Sequence, residues 1–255
     1  MNSRFIELKT VSNIRDLGTM TNTEGKTVKP KALIRSALLN KADQNDLNCL
    51  ISEYGLRTVI DLRTTRERND RPEILPDTVE YLPLPVFDDD KLGISDFNFA
   101  LEKGLPVMDM LYKLIVSNPS SQERFHAILN TILEYDYDKG SILWHCTEGK
   151  DRCGLVAALV EHILGISEED IYEDYLLTNV VNGPKAEMIK EKELARGRSE
   201  EYAEGVKNVF LAKEEYLRAA LDTIKEKHGS LDAYLIDTVG LDEEKIRSFR
   251  ERILE

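Results

Sequence analysis

Cysteine is scarce in this chain of 255 residues, which contains only Cys49, Cys146 and Cys153. So small and odd a number argues against a framework of disulfide bonds and favours a reducing compartment. Each cysteine is therefore either a core residue or a candidate for thiol chemistry. Cys49 falls on the apolar face of a predicted helix, where we expect it to be part of the core.

Long apolar runs are also missing. The first residues, MNSRFIELKT, contain no basic segment followed by an apolar stretch, so no export signal is visible. No uncharged window reaches the length that a bilayer-spanning helix needs. We expect a cytoplasmic protein without stable membrane insertion, with secretion by a signal-less route as the alternative.

Positive charge is in deficit, because the formal net charge at pH 7 is -13. A broad electrostatic attraction to nucleic acid or to anionic lipid is therefore not expected, and no nucleic-acid partner is predicted. An anionic substrate would have to be held by a small group of basic residues in one place.

Apolar residues alternate between strand-like runs and helical spacing through most of the chain. This alternation predicts an α/β fold with a mainly parallel central sheet flanked by helices. The predicted strands cover residues 57–62, 79–87 and 141–146, and the predicted helices cover 40–54, 122–135 and 155–165.

The sequence shows no internal repeat and no low-complexity linker, so we expect a single domain over residues 1–255 with helical insertions. Residues 89–121 are acidic and then weakly amphipathic, and residues 182–204 are highly charged. Both segments are too polar for a core and are candidate lids or insertions. Residues 209–255 predict two further amphipathic helices.

The segment SILWHCTEGKDRCGLVAAL, residues 141–159, joins a predicted strand to a predicted helix and contains the pattern H-C-x-x-G-x-x-R. Successive amides and a helix N-terminus in such a loop form an anion site. Cys146 at its start would be stabilised as a thiolate and could attack phosphorus. Arg152 supplies a planar fork that can hold two phosphate oxygens.

The sequence HCTEGKDRCG resembles the signature of the cysteine-based phosphatases, and its Lys-Asp pair is similar to the bacterial tyrosine/serine protein phosphatase family. Residues 13–18, 33–39, 54–67, 171–179 and 214–235 extend the resemblance over nearly the whole chain. The resemblance implies a phosphatase fold, a phosphocysteine intermediate, and neither metal nor other cofactor. It also implies substrates among phosphotyrosine, phosphoserine or phosphothreonine, and phosphoinositides, carried by a protein or a small phosphomonoester.

Each of the remaining residues of the loop has an expected role. His145 is expected to support the loop and the thiolate, with an ordinary strand histidine as the alternative. Lys150 is expected to face the substrate phosphate or to be a solvent-exposed lysine. Asp151 orients Lys150 or Arg152, or is simply an acid in the first turn of a helix. The whole predicted phosphate-binding set is Thr147, Glu148, Gly149, Lys150, Asp151 and Arg152.

The leaving oxygen needs a proton, so a carboxylic acid should approach the loop from another part of the chain. The predicted strand 79–87 ends at Asp88, and its layout resembles the strand that provides the catalytic aspartate in this class of phosphatase. Asp88 is therefore the first candidate, ahead of Asp89, Asp90, Asp61 and Asp151.

Two positions depart from the family pattern. Cys153 stands where relatives have a hydroxyl, so hydrolysis of the intermediate is expected to be slow. Cys153 could also form a disulfide with an oxidised Cys146, or could merely replace a serine. Glu148 stands where relatives have a small residue, and its carboxylate would repel polyphosphorylated inositol lipids.

Other positions that match the family have a structural explanation, since pairs of arginine and carboxylate commonly tie loops to a core. These positions are Arg15 with Asp16, Arg35, and Arg63 with Glu67. Two other functions remain open for the whole chain: a phosphatase-like module that binds phosphorylated ligands without turnover, and a thiolate-based sulfurtransferase or arsenate reductase.

Overall fold

The computed structural model describes residues 4–87 and 107–255. Within these ranges the strands form a five-stranded sheet in the order β1-β2-β5-β3-β4. The β1–β2 pair is antiparallel and the other pairs are parallel, as the alternation of strands and helices predicts. The strands are β1 Arg15–Asp16, β2 Leu33–Ser36, β3 Leu56–Asp61, β4 Glu80–Pro83 and β5 Ser141–His145.

Helices cover the sheet, and most begin at a capping side chain. Thr64, for example, caps the second helix with a capping box that includes Glu67, and Ser167 caps the long sixth one. The helices are α1 Gln44–Ser52, α2 Thr65–Asp70, α3 Val107–Ser117, α4 Pro119–Glu134, α5 Asp151–Ile163, α6 Glu168–Ala195, α7 Glu200–Phe210, α8 Glu214–His228 and α9 Glu243–Ile253. A short helix over Leu231–Ala233 and a π-helical turn over Tyr234–Thr238 connect α8 to α9.

β5 is the middle strand of the sheet, and all five of its residues are buried. Ile142 and Trp144 point into the larger apolar cluster, formed mainly with α3, α4, α5 and α8. Leu143, between them, points into a smaller cluster on the opposite face that includes Leu50 of α1. Alternate side chains of one strand therefore reach opposite layers. Packing on both faces of the sheet holds the end of β5 in place. The loop that begins at Cys146 therefore starts from a fixed point.

The predicted insertion at 89–121 needs correction. Its first part, 89–106, lies outside the described residues. Residues 107–117 form α3, and Tyr112, Ile115 and Val116 are fully buried in the larger cluster. The expectation that this part is too polar for the core is wrong, because its only charged side chains, Asp109 and Lys113, are not buried and most of its apolar side chains are.

The charged stretch 182–204 is helical, as its pattern indicated, and it spans the end of α6 and the start of α7. Ala186 and Ala203 are buried where the two helices pack, and the charged side chains form ion pairs such as that of Lys190 with Glu204. A role for this stretch as a lid remains a prediction. No helix in the described parts of the chain combines the length and the apolar character that crossing a bilayer requires.

A buried ion cluster joins the antiparallel edge of the sheet to α6. Asp174 is completely buried and accepts hydrogen bonds from Arg15 of β1 at 3.0 Å and from Arg35 of β2 at 2.6 Å, and it also pairs with Arg4. Burial alone would raise the pKa of Asp174, but Arg15 and Arg35 outweigh this effect and hold the pKa below its usual value. The structural role expected for Arg15 and Arg35 fits these contacts.

We expect Asp174→Asn to lower the free energy of unfolding by about 3–5 kcal/mol, because it leaves buried guanidinium groups without their carboxylate. Because folding lowers the pKa of Asp174, the wild-type contribution is present above about pH 4 and is lost as pH falls further. Urea unfolding at pH 7 measures the change.

Glu168→Gln is the matched control for this prediction. Glu168 belongs to the same helix but forms a half-exposed pair with Lys225. Its replacement should cost less than about 1 kcal/mol. Equal losses in the two variants would contradict the assignment of Asp174 as the anchor of this edge.

Candidate active site

The loop between β5 and α5 begins at Cys146, directly after the central strand, and passes through Gly149 before Asp151 starts the helix. Gly149 has a φ of +65°, and a Cβ atom on it would lie 2.6 Å from the carbonyl oxygen of Ser36 at the end of β2. Glycine is therefore required both for its conformation and for the close approach of the loop to β2.

Three carbonyl groups of the loop are held from outside. The amide of Leu38 donates to the carbonyl of Thr147 at 3.3 Å, Asn13 Nδ2 donates to that of Glu148 at 2.9 Å, and Arg35 donates to that of Gly149 at 3.1 Å. Carbonyls that face outward leave the peptide amides facing the centre of the loop. Amides arranged in this way next to the N-terminus of α5 are suited to cradle an anion beside Cys146.

Arg152 is fixed by a carboxylate of α2. Its two terminal nitrogens donate to Glu67 at 2.5 and 2.8 Å, and the hydroxyl of Thr147 donates to the same carboxylate at 2.6 Å. Burial would raise the pKa of Glu67, but its bond and charge interaction with Arg152 outweigh this effect and lower it, so Glu67 is ionised. The Arg152 guanidinium also lies over the ring of Phe87, 5.3 Å from the centroid.

Glu67 is the functional residue that sequence reasoning missed, since the sequence predicts only a structural pair of Glu67 with Arg63. The structure corrects this pairing. Arg63 instead binds Asp61 at 2.6 Å and Glu73 at 3.0 Å. The available signal was the T-x-x-E capping box that follows β3, because it places Glu67 at the same edge of the sheet as the loop.

His145 is buried beneath the loop. Its Nδ1 atom lies 3.1 Å from the carbonyl oxygen of Cys146, and its Nε2 atom lies 3.6 Å from Glu73. Burial lowers the pKa of His145 and raises that of Glu73 to about 7. A supporting role for His145 in ordering the loop fits these contacts.

Asp61, Glu73 and His145 bring three possible metal ligands within 4.8 Å of one another. Both carboxylates, however, are already bound to Arg63, and the Tyr81 hydroxyl donates to Asp61 at 2.8 Å. A guanidinium between two carboxylates takes the place that a cation would need. The cluster is therefore an ion-pair network that supports β3 and β5, and Asp61 is not free to act as an acid.

Lys150 does not have the position that the sequence suggested. It is 1% exposed, and its ammonium group donates to the carbonyls of Val209 and Leu211, the latter at 3.1 Å, at the end of α7. It neither faces the centre of the loop nor lies in solvent, and both expectations for it were wrong. Asp151 pairs with Lys150 at 3.2 Å, which was one of its two expected roles, and it also accepts a hydrogen bond from Tyr112.

Cys153 is completely buried on the first turn of α5, and its thiol donates to the carbonyl of Trp144 at 3.7 Å. Burial raises the pKa of Cys153 to about 11, so this cysteine is a thiol at neutral pH. Redox pairing of Cys153 with Cys146 remains a prediction. Cys49 is half-buried and belongs to neither apolar cluster, so the expectation that it is part of the core is not met.

The aspartates proposed as proton donors, Asp88, Asp89 and Asp90, lie outside the described residues. Phe87, which precedes them in the chain, contacts Arg152 through its ring. The polypeptide that leaves β4 therefore contacts Arg152 at Phe87.

Comparison with known proteins decides which family this arrangement belongs to. A model described as the tyrosine phosphatase family matches residues 6–255. The chain belongs to this family. Cys146, the loop that follows it and Arg152 thus lie in a cysteine-based phosphatase, and the chain is a phosphomonoester hydrolase of the protein tyrosine phosphatase type.

Relatives within the family align along most of their length. The chain is 28% identical to the triple specificity protein phosphatase PtpB of Mycobacterium tuberculosis, over 97% of this chain and 98% of that one. It is 28% identical to a Cupriavidus necator protein assigned to the tyrosine-protein phosphatases, over 93% and 85%. It is 23% identical to a tyrosine-protein phosphatase of Nostoc commune, over 87% and 74%.

Proposed function

We propose that Cys146 attacks the phosphorus of a phosphotyrosine side chain and that the phosphoryl group passes through a phosphocysteine to water. The observation that carries this proposal is the loop itself. Its carbonyls are tied back by Asn13, Arg35 and Leu38, so its amides face the point directly above a cysteine that is only 2% exposed. A deep nucleophile suits a substrate whose phosphate stands at the end of a long side chain.

The reaction then has two steps. In the first, a bond forms between the Cys146 sulfur and phosphorus, the bond from phosphorus to the tyrosyl oxygen breaks, and an acid protonates that oxygen. In the second, the same group takes a proton from water, a bond forms between the water oxygen and phosphorus, and the bond from phosphorus to sulfur breaks, which releases phosphate and restores the Cys146 thiolate. Arg152, held by Glu67, stabilises the equatorial oxygens of the phosphoryl group in the transition state of both steps, where negative charge is spread over these oxygens.

Asp88 is the proposed acid. Two of its competitors are already engaged in the structure, Asp61 by Arg63 and Asp151 by Lys150 and Tyr112. Asp88 follows Phe87, whose ring lies against Arg152. The chain that leaves β4 therefore contacts Arg152 one residue before Asp88.

We expect Asp88→Asn to slow hydrolysis of phosphotyrosine by roughly 10²-fold or more while slowing para-nitrophenyl phosphate much less. Phosphotyrosine has the poorer leaving group and needs the proton more. Steady-state kinetics with both substrates measures the difference, and Asp89→Asn and Asp90→Asn are the matched controls. Equal small losses for Asp88→Asn on both substrates would move the role to one of its neighbours.

Phosphotyrosine is the proposed preferred substrate, with phosphoserine, phosphothreonine and phosphoinositides as secondary ones. The support is the depth of Cys146 and the name of the mycobacterial relative, which is called a triple specificity phosphatase. Release of phosphate from matched phosphotyrosyl and phosphoseryl peptides tests the preference. Activity with thiosulfate instead of phosphate esters, or activity that EDTA abolishes, would contradict the proposed chemistry.

The cytoplasm is the proposed location. All three cysteines are free thiols, and Cys146 must remain reduced to act as a nucleophile. A reducing compartment meets this requirement.

A further inference from the structure

An ion pair of unusual position lies beside the loop. Lys185 of α6 donates to both carboxylate oxygens of Glu148, at 2.7 and 2.6 Å. The Lys185 side chain is 42% exposed and that of Glu148 is 28% exposed, so the pair lies at the surface. Because Glu148 is two residues after the nucleophile, its Cα atom is within about 7 Å of the Cα atom of Cys146.

Both partners are held in place. Asn13 fixes the main chain of Glu148 through its carbonyl, and the Lys185 ammonium lies over the ring of Phe210 at 5.3 Å from the centroid. Asn182, one turn before Lys185, donates to the carbonyl of Phe210 at 3.2 Å and fixes the helix beside the loop. The geometry therefore holds one carboxylate and one ammonium at defined points beside the loop that begins at Cys146.

We infer that Glu148 and Lys185 form a charge filter that favours substrates with one phosphate over substrates with a second phosphate close to the first. This inference rests on the proposed function, since it concerns which phosphomonoesters enter the same site. While Glu148 neutralises Lys185, a second phosphate beside the loop meets a carboxylate and a lysine that is already paired. Lys150, the basic residue next to Gly149, is buried against the end of α7 and does not compensate.

Removal of the Glu148 carboxylate should convert the filter into a binding site. In Glu148→Gln the ammonium of Lys185 loses its carboxylate partner and can pair with a second phosphate on the substrate. The change from repulsion to attraction at a partly exposed surface should give about a tenfold gain in relative kcat/KM for the bisphosphorylated substrate. The gain should shrink as ionic strength rises.

The experiment uses two peptides of one sequence, one with a single phosphotyrosine and one with an adjacent phosphoserine added, and measures phosphate release from phosphotyrosine. The readout is the ratio of kcat/KM for the two peptides, in which a general loss of activity cancels. The ratio should rise about tenfold in Glu148→Gln and return to the wild-type value in the double variant Glu148→Gln/Lys185→Met. A parallel arm with inositol monophosphate and bisphosphate shows whether a gain extends to inositol rings.

Glu168→Gln serves as the control, because it removes a carboxylate from an exposed pair on the same helix, about 25 Å from Lys185 along its axis. A purely structural role for the pair predicts lower stability in Glu148→Gln and an unchanged ratio, and that result overturns the inference. So does a gain that persists in the double variant. If wild-type protein releases no phosphate from the singly phosphorylated peptide, the proposed function itself fails.

Discussion

Replacement of Cys146 with serine is expected to lower phosphate release by roughly 10⁴-fold or more, because a serine hydroxyl in the same position lacks the acidity of a thiol. The cradle does not depend on the sulfur, since Asn13, Arg35 and Leu38 hold the carbonyls of the loop. The variant should therefore still bind tungstate or vanadate. Initial rates with para-nitrophenyl phosphate and calorimetric titration with tungstate measure the two properties.

Cys49→Ser is the matched control for this experiment, because it makes the same chemical change away from the loop and should retain activity. Mass spectrometry after acid quenching should detect a phosphoryl group on Cys146 in the wild type and none in Cys146→Ser. If the serine variant keeps substantial activity, a nucleophile other than Cys146 is responsible and the mechanism is wrong.

The second large effect concerns Arg152, the residue proposed to bind the phosphate oxygens. We expect Arg152→Lys to lower kcat by roughly 10³-fold, since an ammonium cannot bind two equatorial oxygens in one plane as charge spreads over them. Glu67→Gln removes the charge that orients Arg152 and should lower kcat by about 10²-fold. KM should change less than kcat in both variants, because the lost interaction strengthens in the transition state.

A double variant distinguishes a shared role from two separate ones. If Glu67 acts only by orienting Arg152, Arg152→Lys/Glu67→Gln should be little worse than Arg152→Lys alone. If instead the fold-losses of the two single variants multiply in the double variant, Glu67 has a role of its own. Asp70→Asn, an exposed carboxylate on the same helix, should leave kcat unchanged.

The sequence was sufficient to predict those parts of the fold and site whose signals lie close together in the chain. The strand β5, the loop and α5 are contiguous, so hydrophobic pattern and motif indicated the same strand-loop-helix unit around Cys146. The two-residue strand β1 and the four-residue strand β2 gave no such signal. A short strand with arginine in it is recognisable only once its partner, here Asp174, has been found.

The errors involve partners that are distant in sequence. Arg63 and Glu67 have the spacing of a helical pair, yet Glu67 binds Arg152, which is 85 positions away. Lys150 precedes Asp151 in a motif that suggests ligand contact, but the end of α7 provides carbonyl groups that retain it inside the protein. Local spacing cannot reveal such partners, because tertiary packing decides between several acceptors of similar chemistry.

The buried cluster around Asp174 has a consequence for biosynthesis. Arg35 binds both the Gly149 carbonyl and Asp174, so the loop is fully braced only when residue 174 is in place. A ribosome that has completed α5 has synthesised the whole H-C-x-x-G-x-x-R motif but not yet the helix that contains this carboxylate. The nascent chain would carry a reactive-site cysteine on an unbraced loop, and phosphatase activity should emerge only after α6 has been synthesised and has docked.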